Sequence, residues 1–256
     1  MFRRETADLP GHWLLARLGK RVLRPGGREL TEQMLSDATL AGADVVELAP
    51  GLGKTALSIL DRAPASYTGV EFDDDAVALT RAAVGERGRV ISGEAADTGL
   101  PDASADVVLG EAMLTMQSDA HKAKIASEAY RMLRPGGRYA IHELALRPDG
   151  LNDDVKTEIR RALAQSIKIN ARPLTAAEWQ QLLTGVGFRV DAVSFAPMAL
   201  LEPRRVIADE GLLRTMRFVS NLVLRPDARA RVLGMRATFS KYRDHMAAIE
   251  IIATKS

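Results

Sequence analysis

Asp44-Val45-Val46-Glu47-Leu48-Ala49-Pro50-Gly51-Leu52-Gly53-Lys54 is the stretch that decides the fold. Asp44 to Leu48 is a short, mostly apolar run that ends at a Gly/Pro turn, so it reads as a buried strand. From Lys54 to Asp61, Ala56, Leu57 and Leu60 fall on one helical face. A glycine turn between a strand and a helix lets backbone approach a ligand closely. The helix start then offers unpaired N–H groups. Taken alone, Gly51-x-Gly53 fits an ordinary strand-to-helix turn equally well. Lys54-Thr55 does not make it a phosphate-cradling loop, because that loop needs a glycine where Leu48 stands.

The same rhythm continues outward. Tyr67–Phe72 and Arg89–Ser92 read as the second and third strands, with helix Ala76–Val84 between them behind Asp73, Asp74 and Asp75. Ala105–Gly110 is the fourth strand, His121–Leu133 a helix, and Arg138–Leu144 the fifth strand. Arg134-Pro135-Gly136-Gly137 stops the helix before it. Such alternation predicts a doubly wound α/β sheet of parallel strands. The rhythm breaks after residue 150. Asp153–Ile169 and Pro203–Phe239 are helical, Thr175 opens a capped helix to about Leu183, and Phe188–Phe195 and Met246–Thr254 are the last strands. Three parts follow: an N-terminal helical lid over 1–40, a core over 41–150, and a completion of the sheet over 151–256. The last part carries helical insertions at about 151–172 and 199–240. Arg-Pro-Gly-Gly-Arg occurs at 24–28 and 134–138 without a fixed period around it, so it marks two similar turns.

Composition narrows the function. No cysteine is present among the 256 residues, which removes disulfides, thiolate zinc sites and thiol nucleophiles. His and acidic residues show no ligand spacing, so no metal is expected. The chain has no apolar run of membrane-spanning length. Acids and a proline occupy the first ten residues where a secretory signal would be apolar, so a cytoplasmic location is expected. The charge is split: residues 1–40 sum to +2, 41–198 to −5, and 199–256 to +5. Basic flanks attract anionic partners, or else are solvated helix faces.

Three further features join the glycine turn. Glu71, 24 residues after Glu47, closes the second strand, where an acid accepts from ribose hydroxyls. Glu94, after the third strand, can accept an adenine amino group. The Pro-Gly-Gly turn precedes the fifth strand. In this order the chain resembles the class I S-adenosylmethionine-dependent methyltransferases. Val45–Gly53, Gly69–Asp73, Gly93–Pro101, Asp106–Leu109 and Glu128–Arg138 match, and the nearest flavour is the small-molecule type that includes quinone-biosynthesis enzymes. The resemblance implies a Rossmann-like seven-stranded sheet with an antiparallel last strand and a helical cap. It implies S-adenosylmethionine as cofactor and S-adenosylhomocysteine as product. Glu47, Ala49, Gly51 and Gly53 would surround the methionine end. Glu71 would hold the ribose, Phe72 would lie against the adenine, and Glu94 and Ala95 would read its edge. Glu111 would stand near the sulfonium or the substrate. The family has glycine at Ala49, so the turn is expected to keep φ negative there or to shift slightly. The family also places a Gly-Gly/Thr segment beside the cofactor, which here is Gly26, Gly27 and Thr31. The alternative for that turn is a helix cap.

Methyl transfer asks mainly for alignment and exclusion of water, with a base where the acceptor must lose a proton. His142, at the end of the fifth strand, is the base candidate. The alternative is a hydrogen-bonded structural histidine. Glu143 points to the opposite face, so at most one of the two meets the ligand. His12, beside Trp13, is a lid residue bordering the acceptor, whereas His121 starts a helix and His245 lies in a turn. Met113, Met116, Met198, Phe195, Met216 and Phe218 line an apolar acceptor pocket or simply fill the core. Arg204, Arg205, Arg214 and Arg217 attract an anionic acceptor or a membrane surface. The expected acceptor is a small molecule, anionic or apolar. Gly110-Glu111-Ala112-Met113 lacks the Pro-Pro-aromatic motif of base-amino methyltransferases, and aromatics make up 5% of the chain, so nucleic acid is not expected. The competing readings are methylation of a protein or RNA, and cofactor binding without turnover.

Overall fold

The computed structural model describes residues 8–256. The chain first forms α1 (Gly11–Arg17), α2 (Gly27–Asp37), β1 (Asp44–Leu48), α3 (Lys54–Leu60), β2 (Ser66–Glu71) and α4 (Asp74–Val84). It continues through β3 (Arg89–Ser92), β4 (Ala105–Glu111), α5 (Asp119–Met132), β5 (Leu133–Leu146), α6 (Asp153–Ile167) and β6 (Leu174–Thr175). The last third holds α7 (Ala176–Val186), β7 (Phe188–Pro197), α8 (Pro203–Glu210), α9 (Leu212–Leu224), α10 (Pro226–Lys241) and β8 (Met246–Lys255).

The strands lie in the order β3-β2-β1-β4-β5-β8-β7. The first five are parallel, and β8 runs antiparallel to both neighbours. This is the expected doubly wound sheet of seven strands. The two-residue β6, which pairs with the end of β5, is an eighth that no sequence pattern announces. Chain order reverses between β1 and β4, where open α/β sheets place their ligand crevice.

Local chemistry sets the element ends. The Asp73 carboxylate accepts from Ala76 N–H at 3.0 Å and caps α4. Thr175 and Glu178 close a reciprocal capping box on α7. The stretch expected to be helical over 203–239 consists of three helices. Gly211, at φ +77°, breaks it once, and Pro226, with no N–H to donate, breaks it again.

Alternation along the strands divides the apolar residues between two layers. Val46, Leu48 and Ile141 pack with Ile125 of α5 and Trp179 of α7. Val45 and Ala140 pack with Met34, Ile59 and Val77 of α2, α3 and α4. A third cluster covers the end of β5 and joins α1 to the late helices through Leu14, Leu15, Leu163, Phe218 and Met235. Polar ties hold the N-terminal segment to it. Glu210 accepts from the N–H groups of Arg21 and Val22 at 2.6 and 2.8 Å, and Asn221 donates to Leu18 O at 2.9 Å.

Candidate active site

A cavity of about 380 Å³ opens at the reversal point between β1 and β4. One wall is the turn after β1. Ala49 N–H donates to Val70 O at 2.8 Å, which ties the turn to β2. Ala49 has φ +54°, so the expected negative φ is overturned. The turn keeps the left-handed conformation and Ala49 carries the Cβ strain of about 1–2 kcal/mol. Gly51 (φ +59°) donates its N–H to Glu71 Oε2 at 2.9 Å. Glu71 Oε1 accepts from the N–H groups of Phe72 and Asp73 at 2.9 and 3.1 Å. Three donors thus fix a carboxylate that has about four acceptor sites, leaving one for an incoming hydroxyl. Phe72 projects 72% exposed at the same rim.

Gly53 does not reach the cavity. It caps α3, and a Cβ there would meet Ala83 at 3.0 Å and Thr80 at 3.2 Å on α4. Glu47 is also withdrawn, because it shares a strand face with Val45. It is 2% exposed and accepts from Tyr67 Oη at 2.6 Å. Burial pushes its carboxyl up to about 8, against the Tyr67 hydrogen bond and with help from the charge of Glu111. Glu94 is exposed and Ala95 half-buried, both beyond the cavity lining.

Glu111 reaches the cavity wall and gathers a buried network behind it. The Arg24 guanidinium lies 2.5 Å from Glu111 Oε2, and Thr55 Oγ1 donates to the same oxygen at 2.5 Å. Thr31 Oγ1 and His142 Nδ1 meet Oε1, the latter at 2.8 Å. Burial raises this carboxyl, but the Arg24 charge and the hydrogen bonds of His142 and Thr31 outweigh it and hold Glu111 well below the usual carboxylate range.

His142 is fully buried and does not line the cavity. Its Nε2 accepts the Gly26 N–H at 3.2 Å, which assigns the ring proton to Nδ1 and its hydrogen bond to Glu111. The lone pair a base would use is occupied, so the geometry makes His142 a positioning residue and corrects the base expectation. Thr31 sits in the same network, away from the cavity. Gly27 (φ +68°) faces α8 instead. A Cβ there would meet Asp209 Oδ1 at 2.9 Å and Arg205 Cδ at 3.0 Å.

The residue that faces the cavity is Glu143, one step further along β5. Its oxygens accept from the N–H groups of Met113, Leu114 and Thr115 at 2.9, 2.7 and 3.0 Å, and from Thr115 Oγ1 at 2.7 Å. Burial raises its carboxyl against those bonds. The result is a fixed turn that sets Met113 and Met116 on the cavity. Opposite them stand His12, Trp13, Leu163, Met198, Met235 and Phe239. His12 packs on Trp13 with ring centroids 4.7 Å apart, and burial pushes its ring down to about 4. Phe195 (55%) and Met216 (53%) are on the outer surface, and Phe218 is core. Arg24, Thr55 and Trp13 are among the site residues the sequence did not single out.

Residues 46–141 match the model of a methyltransferase domain. An uncharacterized protein of Haemophilus influenzae is 32% identical over 251 residues, covering 94% of this chain and 97% of its own. The chain belongs to the class I S-adenosylmethionine-dependent methyltransferases. Demethylmenaquinone methyltransferase of Thermus thermophilus is 32% identical to this methyltransferase over 110 residues, 41% of this chain and 49% of that one. Phosphoethanolamine N-methyltransferase 2 of Haemonchus contortus, solved with phosphomonomethylethanolamine and S-adenosylhomocysteine, superposes with a TM-score of 0.72. It is 17% identical and covers 96% of this chain and 57% of its own, a likeness of fold. S-Adenosylmethionine is the cofactor of this methyltransferase. Gly51, where a Cβ would meet only the Ala49 carbonyl oxygen at 3.9 Å, and the spare acceptor on Glu71 fit that group.

Proposed function

We propose that this methyltransferase acts on a small, largely apolar acceptor held between α1, α6 and α10. The observation that carries the reading is the division of the cavity. Its polar end is the Ala49–Leu52 turn with Glu71, Asp73, Arg21 and Lys54. Its other end is lined by Trp13, Leu163, Ile167, Met198, Met235 and Phe239. An apolar chamber of this size suits a small molecule and rejects a hydrated, highly charged one.

S-Adenosylmethionine supplies a methyl group already activated on a sulfonium for in-line displacement. In this reading the turn after β1 holds the methionine end, Glu71 holds the ribose, and Phe72 covers the adenine. Arg24 and Glu111 keep the wall of the reaction chamber charged but neutralised. Trp13 and His12 close it against water. His12 stays neutral at physiological pH, and it is the imidazole that faces the chamber among the described residues. It can hydrogen-bond a bound hydroxyl or amine, while the burial that keeps it neutral makes it a weak base. An acceptor that arrives ionised needs no base.

The test is methyl transfer from labelled S-adenosylmethionine to a panel of phenols, quinols, thiols and amines graded in apolar bulk. Transfer that rises with apolar bulk supports the reading. Transfer confined to proteins or RNA overturns it, as does tight cofactor binding with no transfer to any acceptor.

A further inference from the structure

The outer face of α9 is apolar and bare. Leu212, Leu213, Val223 and Leu224 are 65%, 78%, 61% and 74% exposed, and Met216 and Val219 lie between them about half exposed. At 100° per residue, Leu212, Met216, Val219 and Val223 form one stripe, with Leu213 and Leu224 on its flank. Phe218, on the opposite side, is the residue that anchors the helix to the core. Most large apolar side chains of this methyltransferase are buried, so six exposed on one helix need an occupant.

The charge around the stripe selects that occupant. From Gly211 to Ser240 the chain carries six arginines and one acid, Asp227. Arg217 lies four residues from Leu213 on the same flank, Arg225 follows Leu224, and both are exposed, as are Arg229 and Arg236 on α10. A second copy docked by a two-fold axis would set these arginines against themselves. A nucleic acid would want stacking aromatics, and the exposed stripe has none. An apolar stripe bordered by arginine is instead the pattern of a helix that lies in the plane of an anionic lipid surface. No helix among the described residues is long and apolar enough to cross a bilayer, so contact is along the surface. The inner side of α9, which carries Arg214 opposite the stripe, runs toward the cavity. Burial and the charges of Arg21 and Arg214 together lower the amine of Lys54, which lines that cavity.

We infer that α9, with the start of α10, docks this methyltransferase on anionic membrane surfaces. The inference is independent of which acceptor is methylated. The test is co-sedimentation of the full chain with phosphatidylcholine vesicles, with and without phosphatidylglycerol. Binding is expected to phosphatidylglycerol vesicles alone and to weaken as salt rises. Arg217→Glu is expected to lower the affinity by about tenfold or more, since one arginine near such a surface contributes about fivefold and the reversal adds repulsion. L213D/L224D is expected to abolish binding. Both variants should keep cofactor affinity and thermal midpoint within error, because neither position touches the cavity or the core. No binding to either vesicle overturns the inference, as does equal binding to both. So does light scattering that shows a dimer which Leu213→Asp converts to monomer, with no vesicle binding.

Discussion

The guanidinium of Arg24 lies 2.5 Å from the carboxylate of Glu111, 87 residues further along the chain. The pair ties the N-terminal segment to the end of β4 with both side chains about nine-tenths buried. Removing one partner leaves a buried charge without compensation. Arg24→Ala should therefore lose about 3–5 kcal/mol of stability in urea titrations. Arg24→Met with Glu111→Gln should recover a large part of that loss. An unchanged midpoint in Arg24→Ala would show that the pair is not a constraint.

Glu71 holds Gly51 and keeps a spare acceptor at the cavity rim. Glu71→Ala should weaken S-adenosylmethionine binding by about ten- to a hundredfold in calorimetry, the scale of losing a charged hydrogen-bond partner. Glu71→Gln should fall between the two.

The strain at Ala49 can be relieved. Ala49→Gly removes a Cβ from φ +54° at the cost of a more flexible unfolded chain. The net gain should be about 0.5–1 kcal/mol, read as a raised thermal midpoint. Ala49→Val should destabilise, because a β-branched residue at positive φ is a genuine outlier.

Glu47 gives the fold a signature in pH. Its folded carboxyl is raised to about 8 from an ordinary value of 4.5. The folded state therefore binds the proton more tightly, and this group's contribution is full below the ordinary value. It declines as pH rises from there through about 8. Glu47→Gln should flatten the decline and raise the midpoint at pH 8 relative to the parent. Chemical denaturation at pH 5 and pH 8 checks the sign.

Met198 separates acceptor from cofactor. Met198→Trp should fill the apolar end of the cavity and raise KM for the acceptor at least about tenfold, the scale of losing a few buried methylenes. The Kd for S-adenosylmethionine should stay within about twofold, because Met198 packs on the cluster of α1 and the late helices and not on the turn after β1. A parallel rise in both would place Met198 in the cofactor half.

Much of this was legible from local sequence. Strand and helix periods lie within a few residues of one another, so β1, β3 and the capping box at Thr175 could be read directly. The register was harder. His142 and Glu143 were known to face opposite ways, but only the packing of Ala140 against α2 and Ile141 against α5 shows which one meets the cavity. Glu47 was misplaced for the same reason of alternation. Arg24 was invisible as a site residue because its partner is 87 positions away, and no local pattern encodes a pairing of that span. Phe195 and Met216 misled because an exposed apolar face and a cavity lining have the same composition.

The hydrogen bond from Val22 to Glu210 spans 188 residues. The segment from Arg21 to α2 leaves the ribosome before the sheet, yet its partners on α8 emerge only after the parallel strands have been made. The parallel strands β1 to β5 can pair while the opening segment still waits, because their contacts close far shorter loops. The roof over the cavity is thus set after the parallel strands, although it is translated before them. A nascent chain arrested before Glu210 carries the cofactor turn without an enclosed chamber, so competence to sequester an acceptor is acquired only once α8 has been made.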